Sequence, residues 1–469
     1  MSAMHVRSHC HAMLRVAVLV LVAFPLATMA KTSSAASKDD VRPLSDITVT
    51  QALAVVFIAV GLALASAGGI GGGTIIVPTL VLAMGFDIKF ATPSSNFIIM
   101  GGAIANAIFN LRKRHPYADR PLVDPDICLA MIPSMMGGAV VGAFFSKLLP
   151  SYVISILLVL LLAMAGVRTT QKALRLHKAE VAKRAPPPLQ DFEPLAPSRV
   201  ASPAAFHALQ SPAPETETDV AVPVAADVNG PEESKTRDEQ VEEIMAYERR
   251  FNWRKHALLV ICYLGIVAAT VGGAVLPCGG VAYWLLLWAE IPWVACFTAL
   301  FVAYMNKQQA LKRSLNYPTI HGDIQWTRRT VLFFPVGCTI AGVVAGMFGV
   351  GGAIIAGPLM LEMGVLPEVA SSTSALLVLY SSAAATAKFA LFKQIVWDWS
   401  VLLCVIAFGV TMVAQVCILG FVRRTGRQSI IVFCVAITVC VGACLMAYSA
   451  VRSTVRDAGK SFSIQFCSK

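Results

Sequence analysis

The chain has 469 residues, of which 57% are hydrophobic and 14% are charged. Soluble globular proteins carry about 25% charged residues. With a mean hydropathy of +0.69, the chain has more apolar surface than a soluble enzyme of this size can bury, and disorder over the whole chain is excluded as well. Most Lys and Arg lie in loops between apolar runs, so the net charge of +11 indicates membrane topology rather than nucleic-acid binding.

The first 30 residues have the pattern of a secretory signal peptide. Arg7 and Arg15 supply the positive flank, an apolar run follows at residues 16–26, and small residues at 27–30 suit cleavage. A retained signal anchor and a mitochondrial presequence are the alternatives. We therefore expect a short extracytosolic segment at 31–48 and an integral, multi-pass protein of the secretory pathway or plasma membrane.

Apolar runs then follow in two groups. The first group, at 49–67, 74–86, 94–111, 127–147 and 152–167, predicts a transmembrane repeat over residues 49–167. The chain continues with a predicted helical hairpin at 256–304, a basic cytosolic loop at 305–330, a second repeat at 331–451 and a C-terminal tail at 452–469. Runs of this length and uniformity are helices in a bilayer. They predict an all-α polytopic membrane protein with about eight or more transmembrane segments.

Residues 168–255 interrupt this pattern. They begin with basic residues, continue through Pro-rich, Ala-rich and acidic stretches, and end in a basic and aromatic segment at 247–255. Too little of the stretch is apolar for it to fold alone, so we expect a disordered cytosolic linker. Its end is expected to lie on the membrane surface as a helix.

The two groups of runs resemble each other in sequence. The residues that match without gaps include Gly72/Gly351, Gly73/Gly352, Ile75/Ile354, Ile76/Ile355, Leu80/Leu359, Met84/Met363, Gly85/Gly364 and Ser95/Ser374. The loop charges reverse between the groups. The loop at 112–120 is basic, whereas its counterpart at 393–398 carries only one Lys. The loop at 148–151 carries no charge, whereas its counterpart at 423–427 is basic. By the positive-inside rule, the repeats have inverted topology, with 112–120, the linker and 423–427 in the cytosol.

Glycines break an apolar run at the same offset in each repeat, and a short apolar segment follows. Broken helices at matching positions are typical of a transporter's binding site, and the free amides at a helix start suit an anion. Close helix packing is the alternative role for these glycines. The candidate substrate-binding residues are Gly71, Gly72, Gly73, Thr74, Pro78, Ser94, Ser95, Asn96, Gly349, Gly351, Gly352, Pro358, Ser372, Thr373 and Ser374.

The hydroxyl clusters at 92–96 and 371–374 could cap helix starts, bind an oxyanion, or do both. Intramembrane charges are costly and often functional, so Glu362 and Lys388 are candidates for coupling to a proton or another ion. Lys388 could instead extend to the membrane surface from a helix end, and Glu290, next to Pro292, is expected at an interface.

No motif points to a cofactor or a metal. The cysteines in or beside the apolar runs contain no CxxC pair, and the eight histidines lie outside those runs or at their edges. We therefore expect the cysteines to be small apolar residues in helices, and we expect neither a cofactor nor a metal site.

The paired glycine motifs, each followed by a proline, a Leu-rich segment, a glycine and a Ser/Thr cluster, resemble the sulfite exporter TauE/SafE family. The resemblance covers about 50–167 and 331–450, and the segment at 278–292 is similar to eukaryotic members. It implies a polytopic carrier that exports sulfite or organosulfur anions. We therefore expect a gradient-driven secondary transporter for small anions such as sulfite or a sulfonate, and not an enzyme. An anion channel, and a membrane scaffold or receptor acting through the linker, are the alternatives.

Overall fold

The computed structural model describes residues 47–67, 69, 71–115, 119–184, 231–249, 253–277, 280–315, 317, 324, 328–425 and 429–457. The predicted signal peptide, nearly all of the 31–48 segment, linker residues 185–230 and the last twelve residues lie outside this part of the chain.

The described residues form thirteen α-helices. The first repeat comprises α1 (Val49–Ala67), α2 (Gly73–Leu82), α3 (Ile88–Asn110), α4 (Pro125–Leu148) and α5 (Ser151–Arg184). Between the repeats lie α6 (Pro231–Arg249), α7 (Trp253–Val275) and α8 (Val281–Ser314). The second repeat comprises α9 (Arg328–Phe348), α10 (Ala353–Glu362), α11 (Pro367–Leu391), α12 (Trp397–Thr425) and α13 (Ser429–Asp457). Eight of these helices are long and apolar enough to cross a membrane, so the predicted fold class is confirmed.

The helical boundaries differ from the prediction most clearly around the linker. Residues 168–184 continue α5 instead of starting a linker, and 231–249 form the helix α6. The basic loop predicted at 305–330 likewise begins with the last turns of α8 and ends with the start of α9. Polar residues extend these apolar helices because a helix already nucleated in the membrane adds one hydrogen bond for each further residue.

The two repeats are interlocked, and α4 crosses α9 at glycines on both helices. A Cβ on Gly142 would lie 2.1 Å from the carbonyl oxygen of Val343, and a Cβ on Gly346 would lie 2.1 Å from that of Ala139. Such contact is possible only where small residues allow two backbones to approach closely. The glycines of this crossing therefore have the packing role considered above.

The helix directions are consistent with the predicted inversion. The ring of His177 on α5 lies 5.9 Å from that of Phe433 at the start of α13, and Thr170 Oγ1 lies 3.7 Å from Cys440 Sγ further along α13. The last helices of the two repeats therefore run antiparallel, as an inverted repeat requires.

The end of α6 is attached to one end of the helix bundle by ion pairs. Arg249 Nε lies 2.9 Å from Asp119 Oδ2 in the loop after α3, and Lys312 Nζ at the end of α8 lies 2.5 Å from Glu248 Oε1. Tyr317 Oη also donates a hydrogen bond to Glu248 Oε2 at 2.9 Å. These contacts place the loop after α3, the end of the linker and the end of α8 on one face. The assignment of that face to the cytosol stays a prediction.

Candidate functional site

The breaks that precede α2 and α10 lie against each other. Gly73 lies so close to the second repeat that a Cβ there would be 2.4 Å from the carbonyl oxygen of Gly349 and 2.5 Å from Cα of Val350. Ser95 Oγ donates a hydrogen bond to that same carbonyl oxygen of Gly349 at 2.7 Å. The structure therefore brings the two predicted glycine motifs together, with the hydroxyl cluster of the first repeat beside them.

Both breaks use left-handed backbone at matching positions. Gly72 has φ of 74° and Gly351 has φ of 77°, and the glycines that end α2 and α10, Gly85 and Gly364, have φ of 77° and 87°. L-residues with a side chain rarely adopt this conformation, whereas glycine does so at little cost. The sequence repeat is therefore also a repeat of backbone conformation.

The hydroxyl clusters lie inside helices and not at their starts. Helix α3 begins at Ile88 and is capped by Asp87, whose Oδ1 accepts from the N–H of Lys89 at 2.9 Å, and α11 begins at Pro367. Ser94 and Ser372 therefore lie beyond the first turn of their helices. Of the two roles considered for these clusters, capping is contradicted, because a nearby carboxylate takes the capping position of α3 and a leucine takes that of α11.

Several hydroxyl and amide groups of these clusters and of the start of α2 are buried without a hydrogen-bond partner among the described residues. They are Thr74 Oγ1, Thr92 Oγ1, Asn96 Oδ1, Thr373 Oγ1 and Ser374 Oγ. Each of these side chains is at most 1% exposed. A buried polar group that lacks a partner is costly, so these groups are candidates to contact a bound ligand or water.

A cavity of about 560 Å³ opens beside this region, between helices of the second repeat and α5 of the first. Its lining includes Ser371 and Ser374 of α11, apolar residues of α10 and α13, and one face of the extended α5. That face carries Arg168, Lys172 and Arg175, which are spaced by four and three residues and so share one side of the helix. Ser371 also touches the break of the first repeat, because a Cβ on Gly69 would be 2.3 Å from the Ser371 carbonyl oxygen.

The two short helices that match in sequence have different environments. Nine of the ten residues of α2 are buried, whereas four of the ten residues of α10 are. Helix α2 packs against α13, where a Cβ on Gly442 would lie 2.1 Å from the carbonyl oxygen of Thr74. Helix α10 instead lines the cavity with its residues Ile354, Pro358 and Leu361. The structure is therefore open beside α10 and closed beside α2.

Of the remaining predicted site residues, some line the cavity and others are buried in helix packing. Pro358 and Glu362 line the cavity, while Pro78 is buried inside α2. Gly71 packs against Ile99 of α3, and Gly352 packs against Met135 of α4, so both fit the packing role.

Two expectations about intramembrane charges are wrong. Lys388 does not extend to the surface, and Glu290 does not lie at an interface: each side chain is 2% exposed, and Lys388 Nζ lies 2.5 Å from Glu290 Oε1. Their burial is possible because each provides the opposite charge for the other.

Sequence reasoning missed the three basic residues of the cavity. Arg168, Lys172 and Arg175 lie where the hydropathy falls, so their polarity indicated the start of a linker. Their spacing on one helix face was the available signal, but it is informative only if α5 continues past residue 167.

Comparisons with known proteins agree with this architecture. The model of the family described as "Sulfite exporter TauE/SafE" matches residues 2–169 and 242–445. Two similar proteins from Arabidopsis thaliana are "Sulfite exporter TauE/SafE family protein 3", 29% identical over 80% of this chain and 73% of its own length, and "Sulfite exporter TauE/SafE family protein 2", 28% identical over 86% and 84%. No solved structure matches the chain significantly. With the family model matched over most of its length and eight helices fit to cross a bilayer, the chain is an integral, multi-pass membrane protein that belongs to the sulfite exporter TauE/SafE family of membrane transporters.

Proposed function

We propose that the protein is a secondary transporter of small anions, with sulfite or an organosulfur anion such as a sulfonate as its substrate. The observation that carries the proposal is the cavity beside α10, which has Arg168, Lys172 and Arg175 on one wall and Ser374 on another. The basic residues would attract an anion from the adjacent solution. The Ser374 hydroxyl, which lacks a partner among the described residues, would donate a hydrogen bond to an oxyanion.

The closed packing of α2 against α13 favours a carrier over a channel. A channel needs a continuous path across the membrane, whereas here the side of the site next to α2 is packed against Gly442 and neighbouring apolar residues. A carrier is expected to be open to one side at a time, with its site at the interface of the repeats. The driving force would be an ion gradient.

Counterflow in proteoliposomes tests the proposal. Vesicles that contain the purified protein are loaded with unlabelled sulfite and placed in a trace of labelled sulfite at alkaline pH, where little neutral sulfur dioxide forms. We expect transient, saturable uptake of label that protein-free vesicles do not show. Uptake that neither saturates nor requires internal sulfite would instead assign a channel.

Deletion of residues 185–230 separates transport from a scaffold or receptor role. The cavity and the meeting of the two breaks lie outside this segment, so we expect the deletion variant to retain counterflow. Loss of counterflow in a well-expressed deletion variant would favour the scaffold or receptor.

A further inference from the structure

The hairpin formed by α7 and α8 lies outside both repeats but is joined to the second repeat by a buried polar contact. Glu290 Oε1 on α8 accepts hydrogen bonds from Lys388 Nζ on α11 at 2.5 Å and from Thr270 Oγ1 on α7 at 3.1 Å. All three residues are at most 4% exposed. Each of them lies within a helix that can cross the membrane, where ionised side chains are costly and usually functional.

The second carboxylate oxygen of Glu290 is available to accept a proton. Oε2 is buried and has no hydrogen-bond partner among the described residues. Lys388 of α11 is the charged group in contact with this carboxylate. Tyr283 lies on the same face of α8 two turns earlier, and Lys147 of α4 has its Nζ 4.4 Å from the ring centre of Phe392 at the same end of α11.

We propose that Glu290 binds the proton that drives transport, and that Lys388 is a positioning residue for it; this proposal rests on the anion transport proposed above. Helix α11 carries Ser374 near its start and Lys388 in its last turn. In the proposed cycle, α11 shifts relative to α8 when the cavity opens or closes, and this shift stretches the contact between Lys388 and Glu290.

Protonation makes that shift possible. Separating the two ions in an apolar interior would leave each of them without a counter-charge, at a cost of several kcal/mol for each ion. A proton taken from water on one side and bound at Oε2 converts the carboxylate to a neutral acid, so that separation leaves one ion, Lys388, without a counter-charge instead of two. The proton is released to water on the other side when the contact reforms. One proton and one monovalent anion then cross together, and no net charge moves.

The experiment uses labelled methanesulfonate as a probe in proteoliposomes. This sulfonate stays ionised at all usable pH values, so it does not accumulate by permeation of a neutral acid. With equal pH on both sides, the wild type should equilibrate the probe. With the outside more acidic by one unit, it should accumulate the probe about tenfold, because one proton per anion converts a tenfold proton ratio into a tenfold anion ratio.

Glu290→Gln keeps the shape and the hydrogen-bonding capacity of the side chain but does not take up a proton. We expect this variant to equilibrate the probe without accumulating it. Because Lys388 then lacks its counter-charge, Glu290→Gln/Lys388→Met serves as a second variant in which both charges are removed, and it should behave in the same way. Glu368→Gln, at the other end of α11, is the matched control and should still accumulate the probe.

Tenfold accumulation by Glu290→Gln would overturn the proposal. If Glu362→Gln loses accumulation at the same time, the proton is assigned to the cavity instead. A wild type that does not equilibrate the probe would count against the proposed function instead. In that case infrared spectroscopy tests whether Glu290 takes up a proton. On acidification, the wild type should gain a protonated-carboxyl band that Glu290→Gln lacks. Absence of any such difference overturns the proposal.

Discussion

Ser95 and Gly349 are 254 residues apart in the chain, yet the hydroxyl of Ser95 donates a 2.7 Å hydrogen bond to the carbonyl oxygen of Gly349. This bond joins the two repeats at the point where both of their first helices are broken. Ser95→Ala should lower the free energy of unfolding by about 1–3 kcal/mol, because it leaves the buried carbonyl without its donor. Thermal unfolding in detergent measures the effect. Ser382→Ala removes a hydroxyl that donates to the carbonyl oxygen of Leu379 within the same helix. It should cost less, and equal losses would refute the importance of the bond between repeats.

The difference between α2 and α10 predicts different chemical accessibility at matched positions. On a cysteine-free background, Leu361→Cys places a thiol in the cavity, and Leu82→Cys places one at the matching position of α2, which is 8% exposed. We expect a membrane-impermeant thiol reagent to modify Leu361→Cys from the side on which α5 ends and to modify Leu82→Cys slowly from both sides. Equal rates at the two positions would show that the asymmetry is not present in the membrane.

The basic face of α5 should determine the affinity for anions. Removal of one charge by Lys172→Gln should weaken attraction of an anion in the cavity by about 1–2 kcal/mol, which raises KM for the transported anion about five- to thirtyfold. The effect should shrink as salt is added, because salt screens partly exposed charges. Lys178→Gln, on the same helix but exposed and outside the cavity, is the control. An unchanged KM in Lys172→Gln would exclude this wall of the cavity from the anion path.

The glycines where α4 crosses α9 should not tolerate a side chain. Gly142→Ala places a Cβ 2.1 Å from the carbonyl oxygen of Val343, so we expect loss of stability and low abundance in the membrane. Gly409→Ala on α12 has nothing within 4 Å of the added Cβ and should be neutral or slightly stabilising, because Ala favours helix over Gly. Abundance and thermal unfolding of the two variants compare them directly, and normal abundance of Gly142→Ala would contradict the close crossing.

Hydropathy and the internal repeat were sufficient to predict the apolar helices, because a chain in lipid must satisfy its backbone hydrogen bonds internally and a helix does so within one segment. The repeat also predicted which glycines would be special: Gly72 and Gly351 share a left-handed conformation that glycine adopts most easily. In contrast, the contact of Glu290 with Lys388 joins residues 98 positions apart. No periodicity relates the two, so only the three-dimensional structure reveals their contact.

The end of α5 shows a different limit of sequence reasoning. Lys172 and Arg175 follow an apolar run and precede a Pro-rich stretch, and composition alone does not distinguish the last turns of a helix from the first residues of a linker. The hydroxyl clusters were misplaced for a similar reason, since Asp87 lies far enough upstream of Ser94 that a start at either residue fits the pattern.

The interlocking of the repeats has a consequence for biosynthesis. Helix α4 lies against α9, α3 against α12, and α5 against α13, so each half of the chain completes the packing of the other. A polypeptide that ended before α9 would expose the Gly138 and Gly142 seam of α4 to lipid and would be a target for degradation in the cell. Two polypeptides divided between residues 185 and 230 and made in the same membrane would keep every helix pairing named here, and we expect them to assemble into an active transporter.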